Sequence, residues 1–402
     1  MSALLTLEEA QARLLALAPE MPQALPGGAP FGETRYLSQD IVALRTQPDA
    51  DLSAMDGYAI AGEGPWQMVG ESRAGRPYAG TIRPGECTRI STGAHIPAGA
   101  DRVLIQENAV VDGAQVALAA GEATPEAGRH VRKAGFDFRE GDVLLQKGTR
   151  IGPGQLALAR AAGYDAPPHY ETPRIAVLES GDELSPNANP CMLEPGHIPA
   201  SNGAMIEAML APYLGEVVQI GAVPDSLSLL ADALGKAEDC HIVITSGGAS
   251  VGDHDLIQQA LKDWGAEIAF WKVAIKPGKP LMVATREGSC GRQVILGLPG
   301  NPVSSFVTAF LFALPLVRKA MGAADPLPRR HMLTAAEPLP ATSDRREFLR
   351  GVSDGTVVRL AGSQDSSALL ALAQADCLID RPADAPAVSP GEQVPVFYLQ
   401  NG

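Results

Sequence analysis

Residues 174–321 alternate short apolar runs with helix-length segments, and this alternation constrains the fold more than any other feature of the chain. Ile175-Ala176-Val177-Leu178 reads as a strand ending at Glu179-Ser180-Gly181-Asp182. Residues 201–210 read as a helix that Ser201 or Asn202 can cap. A strand at 217–221 ends near Pro224-Asp225, and a helix follows at 227–236. Ile242-Val243-Ile244-Thr245 is the next strand and 256–264 the next helix. A strand at 294–298 then ends at Pro299-Gly300-Asn301-Pro302 and opens a helix over 302–321, with proline in its favoured first turn. This order predicts a parallel sheet with helices on both faces and ligands beyond the carboxyl ends of its strands.

The sharpest of those ends is Thr245-Ser246-Gly247-Gly248-Ala249-Ser250-Val251-Gly252-Asp253-His254-Asp255. Paired glycines let backbone approach a ligand and aim several N–H groups at one anion. Phosphate donors beside acids suggest a phosphorylated small molecule with Mg²⁺, which usually takes only one or two protein carboxylates. The candidates are Glu183, Asp225, Asp253 and Asp255; Asp255 and Asp225 are the favoured metal ligands, and Asp253 has the alternative role of helix cap. The helix opened by Pro302 also suits an anion at its N-terminus, with Ser304 either a ligand or a plain helix-start residue. In Trp271-Lys272-Val273-Ala274-Ile275-Lys276-Pro277-Gly278-Lys279-Pro280, the Pro-Gly turn can bring Lys276 and Lys279 onto one anion; a solvated basic turn is the plain alternative.

The flanks follow a different grammar. Residues 4–18 suggest an amphipathic helix with Leu4, Leu5, Leu14, Leu15 and Leu17 on one side, and its acids argue against a signal peptide. From about 25 to 170 short strands and turns dominate, with a helix at 151–163 stopped by Gly163, and the tail from about 326 returns to strands. Two dense turn motifs lie in the β-rich half: Ser53-Ala54-Met55-Asp56-Gly57-Tyr58-Ala59, and Ser91-Thr92-Gly93-Ala94-His95 leading to Asp101. The 402 residues suit about two to four domains. A net charge of −14 argues against a general nucleic-acid binder, and the longest apolar run, 306–317, is too short to span a bilayer, so no membrane partner is expected. Five scattered cysteines suit a reducing, cytoplasmic setting, with Cys240 and Cys377 as core residues.

Six motifs occur in order: SAMDGYA, STGAHIPAGAD, SGDEL, SGGASVGDHD, KVAIKPGKP and GLPGNPVSS. Together they resemble the molybdenum insertases of molybdenum cofactor biosynthesis, the molybdopterin molybdenumtransferase family that includes MoeA and the gephyrin E domain. The resemblance runs from about residue 5 to 400. It implies an elongated homodimer of multidomain α/β plus β subunits. These would have an N-terminal helix and linking domain at 1–42 and 139–172, and a β-rich domain at 43–138. A molybdopterin-binding α/β domain at 173–325 and a small barrel-like β domain at 326–402 complete the expectation. The implied reaction brings adenylylated molybdopterin and molybdate together with Mg²⁺, inserts molybdenum and releases AMP. The molybdopterin adenylyltransferase and molybdoenzyme-delivery proteins are the implied partners.

Carried over by motif, the functional acids are Asp56, Asp137, Glu183, Asp225 and Asp255, with Lys272 and Lys276 as functional lysines. Binding residues are Thr92, Ser246, Gly247, Gly248, Ser250, Lys279, Pro299, Asn301, Pro302 and Ser304, with Arg350 and Ser366 from the tail. The chain departs from the family pattern at Leu52, Phe136 and Ala200. A molybdopterin adenylyltransferase, or a non-catalytic cofactor-binding scaffold, is the alternative reading.

Overall fold

Six strands form the central sheet of the larger of two units: β1 (Ile175–Ser180), β2 (Val217–Val223), β3 (Ile242–Ser246), β4 (Glu267–Trp271), β5 (Met282–Gly288) and β6 (Gly291–Leu298). The computed structural model describes residues 4–24, 33–213, 217–247 and 256–399. The larger unit comprises Met1–Gln39, Lys147–Ile151 and Pro168–Gly402; the smaller comprises Asp40–Gln146 and Gly152–Pro167. The sheet order is β2-β1-β3-β6-β5-β4. The first four are mutually parallel; β5 is antiparallel to both of its neighbours, β6 and β4, so β4 runs in the same direction as the first four. The parallel expectation is therefore corrected at one edge. A hairpin at Ser289-Cys290 turns β5 onto β6, and the polar Thr285-Arg286-Glu287 end of β5 hid that strand from the apolar pattern.

Both faces of the sheet are covered. Ile175, Val177, Ile242, Ile244, Val294 and Leu296 point into one core with Leu7, Leu14, Phe310 and Phe312. Their neighbours Ala176, Leu178, Val243 and Ile295 point into the other, with Leu230 and Leu234 from one helix and Ile257 and Leu261 from the next. Strict alternation of contacts along runs with no polar residue is what a strand buried on both sides requires. Each such aliphatic side chain contributes roughly 1.5–3 kcal/mol on full burial.

Pro302–Ala320 is continuous, but its middle, Ala309–Ala313, widens into a π turn. Pro315 has no N–H, so the carbonyl of Leu311 loses its helical donor. Buried Gln11 supplies one, its Nε2 donating to Leu311 O at 2.9 Å. The helix is long and apolar enough to cross a membrane, yet 89% of the apolar window is buried inside the protein.

Gln11 belongs to α1 (Leu7–Leu15), shorter than expected because Thr6 starts it with a capping box: Glu9 N–H donates to Thr6 Oγ1, and Thr6 N–H to the Glu9 carboxylate. Leu4 and Leu5 precede the helix, and Leu5 forms a parallel bridge to Val273, its carbonyl accepting from Ala274 N–H at 2.9 Å. Glu8 pairs with Arg346, which also makes a bidentate pair with buried Asp380.

The tail closes a five-stranded barrel. Arg346–Ser353 pairs with both Val357–Leu360 and Cys377–Arg381, and Arg330–Ala335 and Gln393–Tyr398 complete the ring. Leu333, Val358, Ile379 and Val396 lie in its core. Ile275–Lys276 adds alongside Arg346 and Glu347, so the lysine segment becomes an extra strand on the barrel.

The smaller unit is β-rich. Its sheet centres on Gly57–Ile60, flanked by Glu86–Ile90 and Arg102–Ile105, around Tyr58, Ile60, Trp66 and Leu104. Its helix, Pro153–Ala161, ends before Gly163, which takes φ +109. All five cysteines are free thiols; Cys240 and Cys377 are fully buried, and burial pushes the Cys87 thiol up to about 12.

Candidate functional site

The carboxyl ends of β1, β3 and β6 converge on a cleft of about 810 Å³. At its floor, Gly247 takes φ +87, and a Cβ there would lie 2.2 Å from the carbonyl oxygen of Ser180. Only glycine fits both conditions. Ser246, the last residue of β3, donates to the Pro299 carbonyl at 3.2 Å and lies 3.2 Å from Ser305 Oγ.

The helix Asn202–Leu210 (α2) enters this cleft by its N-terminus. The expected cap at Ser201 or Asn202 is not made by either side chain. Buried Glu179 does the work instead, one carboxylate oxygen accepting Asn202 N–H at 3.0 Å and the other Gly203 N–H at 2.8 Å. An acid at this end also complements the helix dipole. Freed from capping, Asn202 donates through Nδ2 to Ser246 Oγ at 3.0 Å and to the Gly300 carbonyl at 2.7 Å. One side chain thus ties the helix start, the end of β3 and the turn after β6.

Besides the capping Glu179, two acids line the same cleft, Glu183 and Asp225. Asp225 accepts from Ser180 Oγ at 2.6 Å through Oδ1, and its own N–H donates to Asp182. Among the described residues no cluster of three metal-ligating side chains exists. The donor set fits a Mg²⁺ ion held by one or two carboxylates and completed by phosphate and water, which is how this ion binds beside nucleotides.

A second, basic cavity of about 460 Å³ adjoins the first through Pro280 and Ser304. It is lined by Lys276, Lys279, Arg345, Glu347, Arg350 and Ser366, among others. Ser366 is fixed from the α/β side: Asn301 Nδ2 donates to its hydroxyl at 3.1 Å, and Val303 N–H donates to its carbonyl at 3.1 Å. Arg350 is 1% exposed. Its Nη2 donates to the carbonyls of Ser363 and Asp365, while its buried Nε has no partner among the described residues. Burial pushes its pKa down, with Asp365 acting against that shift. A guanidinium cannot shed its proton here, so an unpaired buried N–H is a standing demand for an acceptor, best met by an anion.

The two cavities therefore gather Glu183, Asp225, Ser246, Gly247, Pro299, Asn301, Pro302, Ser304, Lys276, Lys279, Arg350 and Ser366. Lys272 lines neither; it holds a left-handed backbone, φ +72, and donates its N–H to Leu281. Gly248, Ser250, Asp253 and Asp255 lie outside the described residues. In the smaller unit Asp56 and Thr92 meet: the Thr92 N–H and hydroxyl donate to the Asp56 carboxylate at 2.6 and 3.1 Å, holding it below the usual carboxylate range. Asp137 is exposed in that unit. Of the departures, Phe136 is 72% exposed with the Arg132 guanidinium over its ring, Leu52 pairs with Arg132, and the Ala200 N–H donates to Ser185.

Glu179 and Glu347 were not singled out as site residues by the sequence, and Asn202 was expected only as a helix cap. The one available signal was a lone acid at the end of an apolar strand, which marks Glu179.

Three family profiles match in order: MoeA N-terminal region (domain I and II) over residues 5–163, a probable molybdopterin binding domain over 176–319, and MoeA C-terminal region (domain IV) over 332–399. A molybdopterin molybdenumtransferase of Haemophilus influenzae is 31% identical, the match covering 98% of each chain. Molybdopterin molybdenumtransferase 2 of Mycobacterium tuberculosis is 34% identical over 90% of this chain and 92% of its own. Among solved structures, a molybdopterin biosynthesis MoeA protein of Pyrococcus horikoshii superposes with a TM-score of 0.79 at 27% identity, covering 99% of both chains. With motifs, fold and relatives in agreement from one end to the other, the chain belongs to the molybdopterin molybdenumtransferase family of transferases.

Proposed function

We propose that the protein inserts molybdenum from molybdate into adenylylated molybdopterin, with Mg²⁺-dependent release of AMP. The observation that carries this reading is the junction of two unlike cavities. One has strand ends, a helix N-terminus and two carboxylates, suited to a phosphorylated substrate with Mg²⁺. The other has two lysines and a buried arginine with a spare donor, suited to an oxyanion. Holding both anions within one continuous cleft supplies proximity, and the lysines, Arg350 and Mg²⁺ would offset their repulsion.

Asp225 and Glu183 are the described residues that would hold Mg²⁺, with Asp255 the further candidate; the ion would neutralise charge on the pyrophosphate. Ser246, Gly247, Pro299, Asn301 and Pro302 shape the substrate wall. Lys276, Lys279, Ser304, Arg350 and Ser366 receive molybdate. Asp56, Thr92 and Asp137 belong to the other unit, and their participation is supported by the family motifs. The motifs in both units also support a homodimer as the working form, and five free cysteines support a cytoplasmic setting. The test is AMP release from adenylylated molybdopterin and Mg²⁺, with and without molybdate. Molybdate-dependent release is expected. No release from folded, nucleotide-binding protein overturns the reading.

A further inference from the structure

The basic cavity contains a carboxylate that an anion site would be expected to exclude. Glu347 is 7% exposed and accepts from Lys276 Nζ at 3.2 Å. Ser343 Oγ lies 3.4 Å from the same oxygen. Glu347 also faces Arg381 across paired strands. Its position is fixed by the backbone, because Lys276 and Glu347 are register partners where the lysine strand joins the barrel. The lysine side chain remains about half exposed, so it is anchored at its base and tethered at its tip, with its flank open to the cavity. Lys279, on the same turn, has no ion pair among the described residues.

We propose that Glu347 is a positioning residue of this cleft: a resident counter-ion that holds the Lys276 ammonium and makes every entering anion compete for it. The inference rests on the oxyanion reading given above. A carboxylate so placed repels all anions, and the repulsion is strong because its near burial limits screening. It lowers the affinity of molybdate and of sulfate alike, since both are tetrahedral dianions. Such an oxyanion still binds because its several oxygens can meet the buried Arg350 and the Ser304 and Ser366 hydroxyls together, interactions that charge alone does not provide.

The test is equilibrium binding of molybdate alone and of sulfate alone to the full chain, at fixed pH and low ionic strength. Glu347→Gln is expected to bind both anions several-fold more tightly and to a similar extent, and most of the gain should persist as salt is raised. Damaged packing would weaken binding, so a tightening separates this role from a structural one. Lys276→Met should lose roughly tenfold more affinity than Lys279→Met, because it exposes the Glu347 charge as well as deleting a cation. Unchanged or weaker binding in folded Glu347→Gln overturns the proposal. Should that variant not fold, equal losses in the two lysine variants overturn it. If the wild-type chain binds neither anion, the oxyanion reading fails first and the proposal falls with it.

Discussion

The two cavities contain similar buried acids put to opposite uses. Glu179 gives both oxygens to backbone N–H groups of a helix start, so its charge is spent on architecture. Glu347 gives an oxygen to the tip of a half-exposed lysine, so its charge is exchangeable. The strand-end cavity is braced by main chain and by Asn202, whereas the basic cavity is built from long side chains on a barrel edge. On the proposed function, a substrate that must be held still and an ion that must be admitted and transferred place different demands on their walls, and the two cavities differ along that line.

The largest effect is expected from removing the architectural acid. Glu179→Ala leaves two buried N–H groups without acceptors and should cost about 3–4 kcal/mol in denaturant unfolding; a loss under about 1 kcal/mol would mean that solvent replaces the carboxylate and that the brace is not rigid. Next is Lys276→Met, expected to lower molybdate-dependent AMP release about a hundredfold while costing less stability than Glu179→Ala, because Glu347 keeps Ser343 and still faces Arg381. An equal fall in stability would erase the distinction between the two cavities. Asn202→Ala should cost about 1–2 kcal/mol and raise the KM for the nucleotide substrate more than it lowers kcat. The smallest effect lies in the other unit. Because hydrogen bonds from Thr92 depress the Asp56 carboxyl, its contribution is present above the ordinary carboxylate range and is lost as pH falls through the depressed value. The melting difference between wild type and Asp56→Asn should therefore be present at neutral pH and close in acid.

Much of this was legible from residue order. Ile175-Ala176-Val177-Leu178 and Ile242-Val243-Ile244 can only be strands covered on both sides, and the turns after them are where a parallel sheet presents ligands. β5 escaped because its Thr285-Arg286-Glu287 end is polar, and a hairpin needs no helix to mark its return. The cap on Asn202–Leu210 escaped for a different reason. Ser201 and Asn202 have the right chemistry, but the acceptor comes from Glu179, 23 residues earlier, and no local pattern reports such a partner. Lys276 and Arg350 were found by motif. Glu347 was not, because its meaning depends on a strand pairing across 71 residues.

The bridge between Leu5 and the lysine segment has a consequence for how the chain is made. Leu5 holds Ala274 by its backbone, and Glu8 reaches Arg346, 338 positions further on. During synthesis the first few residues must therefore wait for most of the polypeptide to emerge before they find their partners, a delay of about 15–70 seconds at roughly 5–20 residues per second. The basic cavity cannot be finished until the barrel is, so incomplete chains arrested before residue 346 should lack the complete oxyanion cavity while keeping most of the sheet.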